Sequence, residues 1–107
     1  MVVAYYPATS FVPNAGVLAK RFRVPVLVLA GQKDNYNNCC LIESMRAMEA
    51  AARESGTRFE LVVYPDAGHS FNTFGANYRR DDDRDAWRRT QEMLRIHHPL
   101  REAKEGK

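Results

Sequence analysis

Apolar positions gather in three short runs separated by longer mixed stretches, and the runs predict strands. Val2-Val3-Ala4-Tyr5-Tyr6 stops at Pro7, Val24 to Ala30 stops at Gly31, and Phe59 to Tyr64 stops at Pro65. The second run is apolar almost throughout, which suits a strand covered on both faces, as in a parallel sheet. Pro25 is compatible with that reading, because the start of a strand tolerates a missing N–H. A strand as hydrophobic as the first calls for a neighbour on its far side. No other run supplies one, so a missing segment or a partner at the sheet edge is expected.

Helical spacing fills two of the gaps. Leu41, Met45, Met48 and Ala52 recur on one face while Glu43, Arg46 and Glu49 lie on others, predicting a helix from about Cys39 to Glu54. Asn38 is its expected N-cap and Ser55-Gly56 its stop. A second helix is expected from about Arg80, with Asp81, Asp82 and Asp83 where negative charge suits the dipole. Trp87, Thr90, Met93-Leu94 and His97 form its expected inner stripe, and Pro99 ends it. Strand, helix, strand, helix describes an α/β fold with a three-stranded parallel sheet, a crossover helix and a C-terminal helix. Residues 1–98 form the domain, and residues 99–107 form a charged tail.

Composition narrows the class of protein. A chain of 107 residues makes one domain, and 45% hydrophobic with 27% charged residues is a globular balance. The net charge of +3 is too small, without an aromatic-basic stripe, to argue for nucleic acid. No apolar run reaches the roughly eighteen residues of a membrane span. No basic stretch followed by an apolar core opens the chain, so the expected location is the cytoplasm. Cys39 and Cys40 are adjacent, poorly placed to bond each other, and expected to pack as small apolar groups. Four zinc ligands at workable spacing are not seen, so no metal is expected.

Two residues stand out by position. Asp34 follows the second strand in Leu-Ala-Gly-Gln-Lys-Asp, and His69 follows the third in Tyr-Pro-Asp-Ala-Gly-His-Ser-Phe. Ligands and catalytic groups of open parallel sheets gather at the carboxyl ends of strands. Neighbouring strands would bring Asp34 and His69 to one edge, where an Asp fixes the imidazole tautomer. Singly, such residues are ordinary turn, cap or surface groups. Ser70 adjoins His69 and is poorly placed as a nucleophile. His97-His98 point apart on a helix, and Arg79 to Arg84 reads as a solvated, mixed-charge helix start. Either Tyr5 or Tyr6 lines a pocket, or both serve sheet packing.

Gly31-Gln32-Lys33-Asp34 followed by Tyr64-Pro65-Asp66-Ala67-Gly68-His69-Ser70-Phe71 resembles the C-terminal half of an α/β-hydrolase. With Ala4-Tyr5-Tyr6-Pro7, the resemblance is to the dienelactone hydrolase family over residues 1 to about 97. It implies a triad of Cys or Ser nucleophile, Asp34 as acid and His69 as base, acting on an ester, lactone or thioester without metal or organic cofactor. The nucleophile elbow and the oxyanion loop would lie upstream of Met1, so the lone chain is expected to be inactive. Thr73 stands where the family places an Arg for a substrate carboxylate. Asn35 to Asn38 replaces the usual Pro-containing loop. The alternative expectation is a non-enzymatic half-domain that pairs through its exposed sheet edge.

Overall fold

The computed structural model describes residues 1–98. Its elements are β1 (Val2–Tyr5), α1 (Ala15–Ala19), β2 (Val26–Gly31), α2 (Ile42–Ser55), β3 (Phe59–Tyr64) and α3 (Arg80–His97). The three strands form one sheet in the order β1-β2-β3, with both pairs parallel. Val28 lies between Ala4 and Leu61, and this register leaves the carboxyl ends of all three strands on the same edge.

Every residue of β2 is buried, because both faces of the central strand are covered. Alternation divides it between two cores. Val26, Val28 and Ala30 pack with Cys40, Ile42 and Met45, under α2. Leu27 and Leu29 pack with Tyr64, Ala67, Phe71 and Ala86, under α3. At roughly 25 cal/mol for each Å² of apolar surface removed from water, this two-sided burial supplies most of the drive to fold.

Several boundaries differ from those the pattern suggested. β2 starts at Val26 rather than Val24, which is 44% exposed. Pro25 has no N–H to give a ladder, and the first ladder bond of β2 is Val26 N–H to the Arg58 carbonyl at 2.9 Å. α1 was not foreseen. Its signal is Asn14, whose side chain caps the helix by accepting from the Val17 N–H at 3.1 Å. α2 begins at Ile42, three residues later than expected, and its N-cap Leu41 makes no side-chain bond. Asn37 and Asn38 hold left-handed backbone angles (φ 48° and 54°), so the chain turns there instead of entering a helix. The stop is as expected, with Gly56 left-handed at φ 73°.

The inner stripe of α3 also needs correction. Trp87 is 54% and Leu94 41% exposed, whereas Ala86 and Thr90 are buried and Met93 is half-buried. Small residues let the helix lie close to the sheet. The Thr90 hydroxyl donates to the Ala86 carbonyl at 2.9 Å and meets the Tyr5 hydroxyl at 3.2 Å. The expected acidic first turn, Asp81 to Asp83, is present. Pro99 and the charged tail lie outside the described residues. No helix among the described residues is long and apolar enough to cross a membrane.

Candidate active site

The loops that leave β2 and β3 are tied together at the sheet edge. The Gln32 N–H donates to the Tyr64 carbonyl at 3.0 Å, and the Lys33 N–H donates to the Ala67 carbonyl at 2.9 Å. This crossing passes directly over Gly31. A Cβ on Gly31 would fall 2.3 Å from the Ala67 carbonyl oxygen, so only glycine fits beneath the loop.

The candidate residues follow at once: Asp34 is the next residue after Lys33, and His69 lies two residues beyond Ala67. Asp34 is 3% exposed, and its carboxylate has two partners. Oδ1 accepts from the Tyr36 N–H at 3.2 Å, and Oδ2 lies 2.9 Å from His69 Nδ1. An ionised carboxylate only accepts, so this bond assigns the proton of a neutral imidazole to Nδ1 and the lone pair to Nε2. The arrangement is chemically that of an oriented general base.

Aromatic rings fix the plane of His69. Tyr36 stacks on it at a centroid distance of 4.8 Å and 19°, and Tyr6 lies 4.4 Å from it at 54°. The Tyr6 hydroxyl donates to Asn72 Oδ1 at 2.6 Å, and Asn77 Nδ2 donates to the His69 carbonyl at 3.0 Å. Of the two tyrosines left open by the sequence, Tyr6 touches the candidate base, whereas the Tyr5 hydroxyl is at Thr90 under α3. Tyr36, Asn72 and Asn77 escaped sequence reasoning. Only Tyr36 had a signal, as an aromatic two residues beyond the acid. Tyr6 (φ 37°), whose ring lies against the imidazole, and Ser70 (φ 63°), the residue after His69, hold backbone angles that most residues avoid.

The cysteines overturn their expectation. Cys39 and Cys40 are joined by a disulfide, with Cα atoms 3.7 Å apart. Cys39 has helical backbone angles (φ −74°, ψ −31°), so adjacent side chains diverge less than they would on a strand and the sulfurs can meet. Cys39 Sγ lies 4.0 Å from His69 Nδ1. Spacing in sequence is not spacing in the fold, and four potential ligands come together here although no metal is expected from the sequence. Asp34, Cys39, Cys40 and His69 each offer a ligand atom within 4.8 Å of the others.

The family model of the dienelactone hydrolase family matches residues 1–98. The chain belongs to the dienelactone hydrolase family. A protein of Escherichia coli strain K12 named "Putative carboxymethylenebutenolidase" is 34% identical over 79 residues, covering 73% of this chain and 28% of that one. A crystal structure named "Putative Dienelactone Hydrolase", from Klebsiella pneumoniae subsp. pneumoniae MGH 78578, is 34% identical with a TM-score of 0.60. It covers 74% of this chain and 31% of that one. Esterase 2 of Thermogutta terrifontis, phosphorylated by paraoxon, is 26% identical with a TM-score of 0.60, over 73% of this chain and 28% of its own. This dienelactone hydrolase family chain therefore has part of the α/β-hydrolase fold and spans less than a third of the relatives it matches.

Two positions where the sequence differs from what the resemblance implies can be placed on this fold. Thr73 is exposed, and its hydroxyl donates to the Ser70 carbonyl at 3.1 Å, making it a turn residue. Asn35 to Asn38 forms the turn that lays Tyr36 against His69 and leads into the cysteine pair.

Proposed function

We propose that Asp34 and His69 are the acid and base of a nucleophile–His–Asp triad that opens a small-molecule ester, lactone or thioester. The observation that carries the reading is the 2.9 Å contact between His69 Nδ1 and Asp34 Oδ2 at the carboxyl edge of a parallel sheet. In this mechanism His69 Nε2 takes the proton of a Cys or Ser nucleophile as that atom attacks the substrate carbonyl. Asp34 stabilises the imidazolium, which then protonates the leaving group. The same base deprotonates water to release the acyl group. The triad chemistry needs no organic cofactor or metal.

Residues 1–98 are the C-terminal portion of an α/β-hydrolase domain in this reading, and the nucleophile comes from polypeptide outside the 107 residues. β1 is at one edge of the sheet, with Val2 46% exposed, and offers the surface on which that polypeptide docks. The chain works in the cytoplasm. The same free edge favours a second reading, a non-enzymatic half-domain that pairs with another copy or another protein.

Hydrolysis of p-nitrophenyl acetate separates the two. The lone chain gives no saturable turnover, since removing oxyanion donors alone costs about a hundred- to a thousand-fold. Fused behind a family segment carrying a nucleophile elbow, it turns over, and His69→Ala abolishes the activity. A folded fusion that stays inactive, or one indifferent to His69→Ala, rejects the triad reading.

A further inference from the structure

Four side chains with metal-binding donors meet beyond the end of β2. Asp34 and Cys40 are buried, Cys39 and His69 are half-buried, and their ligand atoms all lie within 4.8 Å of one another. We propose that the reduced chain binds one zinc-class divalent ion through Asp34 Oδ2, Cys39 Sγ, Cys40 Sγ and His69 Nδ1.

The donor set fits that ion. Two thiolates, an imidazole and a carboxylate are a tetrahedral zinc set, with Zn–S near about 2.3 Å and Zn–N or Zn–O near about 2.0–2.1 Å. Those bonds place neighbouring ligand atoms roughly 3.3–3.8 Å apart, by tetrahedral geometry. The observed Asp34 Oδ2–His69 Nδ1 separation is 2.9 Å and the Cys39 Sγ–His69 Nδ1 separation is 4.0 Å, on either side of that range. Breaking the disulfide frees the two sulfurs to separate as ligands of one ion must. The second contact of Asp34, Oδ1 with the Tyr36 N–H, stays in place and aims Oδ2 inward.

Two chemical steps are involved. A dithiol reductant, of the kind that keeps cytosolic thiols reduced, passes two electrons and two protons to the Cys39–Cys40 bond and becomes a disulfide itself. The ion then displaces both thiol protons to solvent, and the proton on His69 Nδ1 leaves while solvent protonates Nε2. Asp34 exchanges its hydrogen bond for a bond to the metal. The loaded site carries two thiolates, one carboxylate and one dication, a net charge of −1.

Metal binding therefore takes the lone pair of Nε2 out of use. The oxidised chain keeps the Asp34–His69 pair, and the reduced, loaded chain loses it. That consequence rests on the reading of His69 as a base, whereas the binding does not.

Cobalt(II) titration of the full chain tests the binding, after reduction with a dithiol that is then removed under anaerobic conditions. The proposal requires one equivalent per chain, with thiolate-to-cobalt charge-transfer absorption displaced by zinc. It requires the loss of that band after oxidation with diamide. Cys39→Ser and Cys40→Ser should each weaken zinc binding by at least about a hundred-fold, more than the loss of an outer-shell partner costs. A measurement on the unaltered chain guards against misfolded variants: zinc should slow iodoacetamide alkylation of both cysteines. Binding without a thiolate band, half an equivalent bridging two chains, or alkylation indifferent to zinc would overturn the proposal. None of these readouts depends on hydrolysis, so failure here leaves the triad reading standing.

Discussion

The Lys33 N–H donates to the Ala67 carbonyl at 2.9 Å, and this bond locks the loop that carries Asp34 to the loop that carries His69. Both loops leave adjacent parallel strands, so a short backbone contact is enough to set the distance between two side chains 35 residues apart. Gly31 lies beneath the crossing and leaves room for it.

Gly31→Ala tests this coupling. The added methyl would sit 2.3 Å from the Ala67 oxygen, which is backbone and cannot swing aside. Overpacking of this kind costs about 1–3 kcal/mol, so the urea midpoint should fall. Because the Ala67 loop is pushed off β2, the Asp34–His69 bond should lengthen or break. A variant with unchanged stability and an intact bond would show that the loop has slack the structure does not suggest.

The strands and the position of the candidate pair were legible because they follow from local pattern plus one topological rule. An apolar run buried on both faces is a central parallel strand, and residues just past adjacent parallel strands share an edge. Gly56 was equally legible, since only a left-handed stop suits that glycine. What failed depends on turn geometry or on contacts distant in sequence, apart from α1, whose local Asn14 cap was legible and missed. The turns at Asn37-Asn38 delay α2, bring Cys39 to His69 and lay Tyr36 on the ring, and no periodicity encodes them. Trp87 misled for a related reason. The helix buries its small residues, Ala86 and Thr90, against Tyr5 and the sheet, and leaves its largest one outside.

Tyr6→Phe isolates the hydroxyl from the ring. The ring contact with His69 remains, but the 2.6 Å bond to Asn72 is lost. The net cost should be about 1 kcal/mol, read as a lower urea midpoint with an unchanged slope. A change in slope instead would mean that the substitution alters the compactness of a state and not one bond.

Asp85 links α3 to β3 and gives acid stability a sign. Burial pushes its carboxyl up, but hydrogen bonds from Arg89, Arg88 and Tyr64 outweigh that and hold it down to about 2, against an ordinary 3.8. The Tyr64 hydroxyl reaches it at 2.8 Å, and the two arginines at 2.7 Å each. A carboxyl depressed in the folded state stabilises it above the unfolded value, and that contribution fades as pH falls through about 4 toward about 2. Asp85→Asn should therefore lower stability at neutral pH and flatten its decline over that window. Urea unfolding of both proteins at pH values across the window checks this, and parallel curves would count against it.

Nitrogen-15 NMR of the His69 ring in the full chain, at a pH where the ring is neutral, tests the central claim directly. Asp34 Oδ2 can only accept, so the account predicts a proton on Nδ1 and a free lone pair on Nε2. In Asp34→Asn the new amide can donate to Nδ1, and the proton should move to Nε2. A wild-type ring protonated at Nε2, or a tautomer unchanged in Asp34→Asn, would contradict an acid–base pair oriented by Asp34.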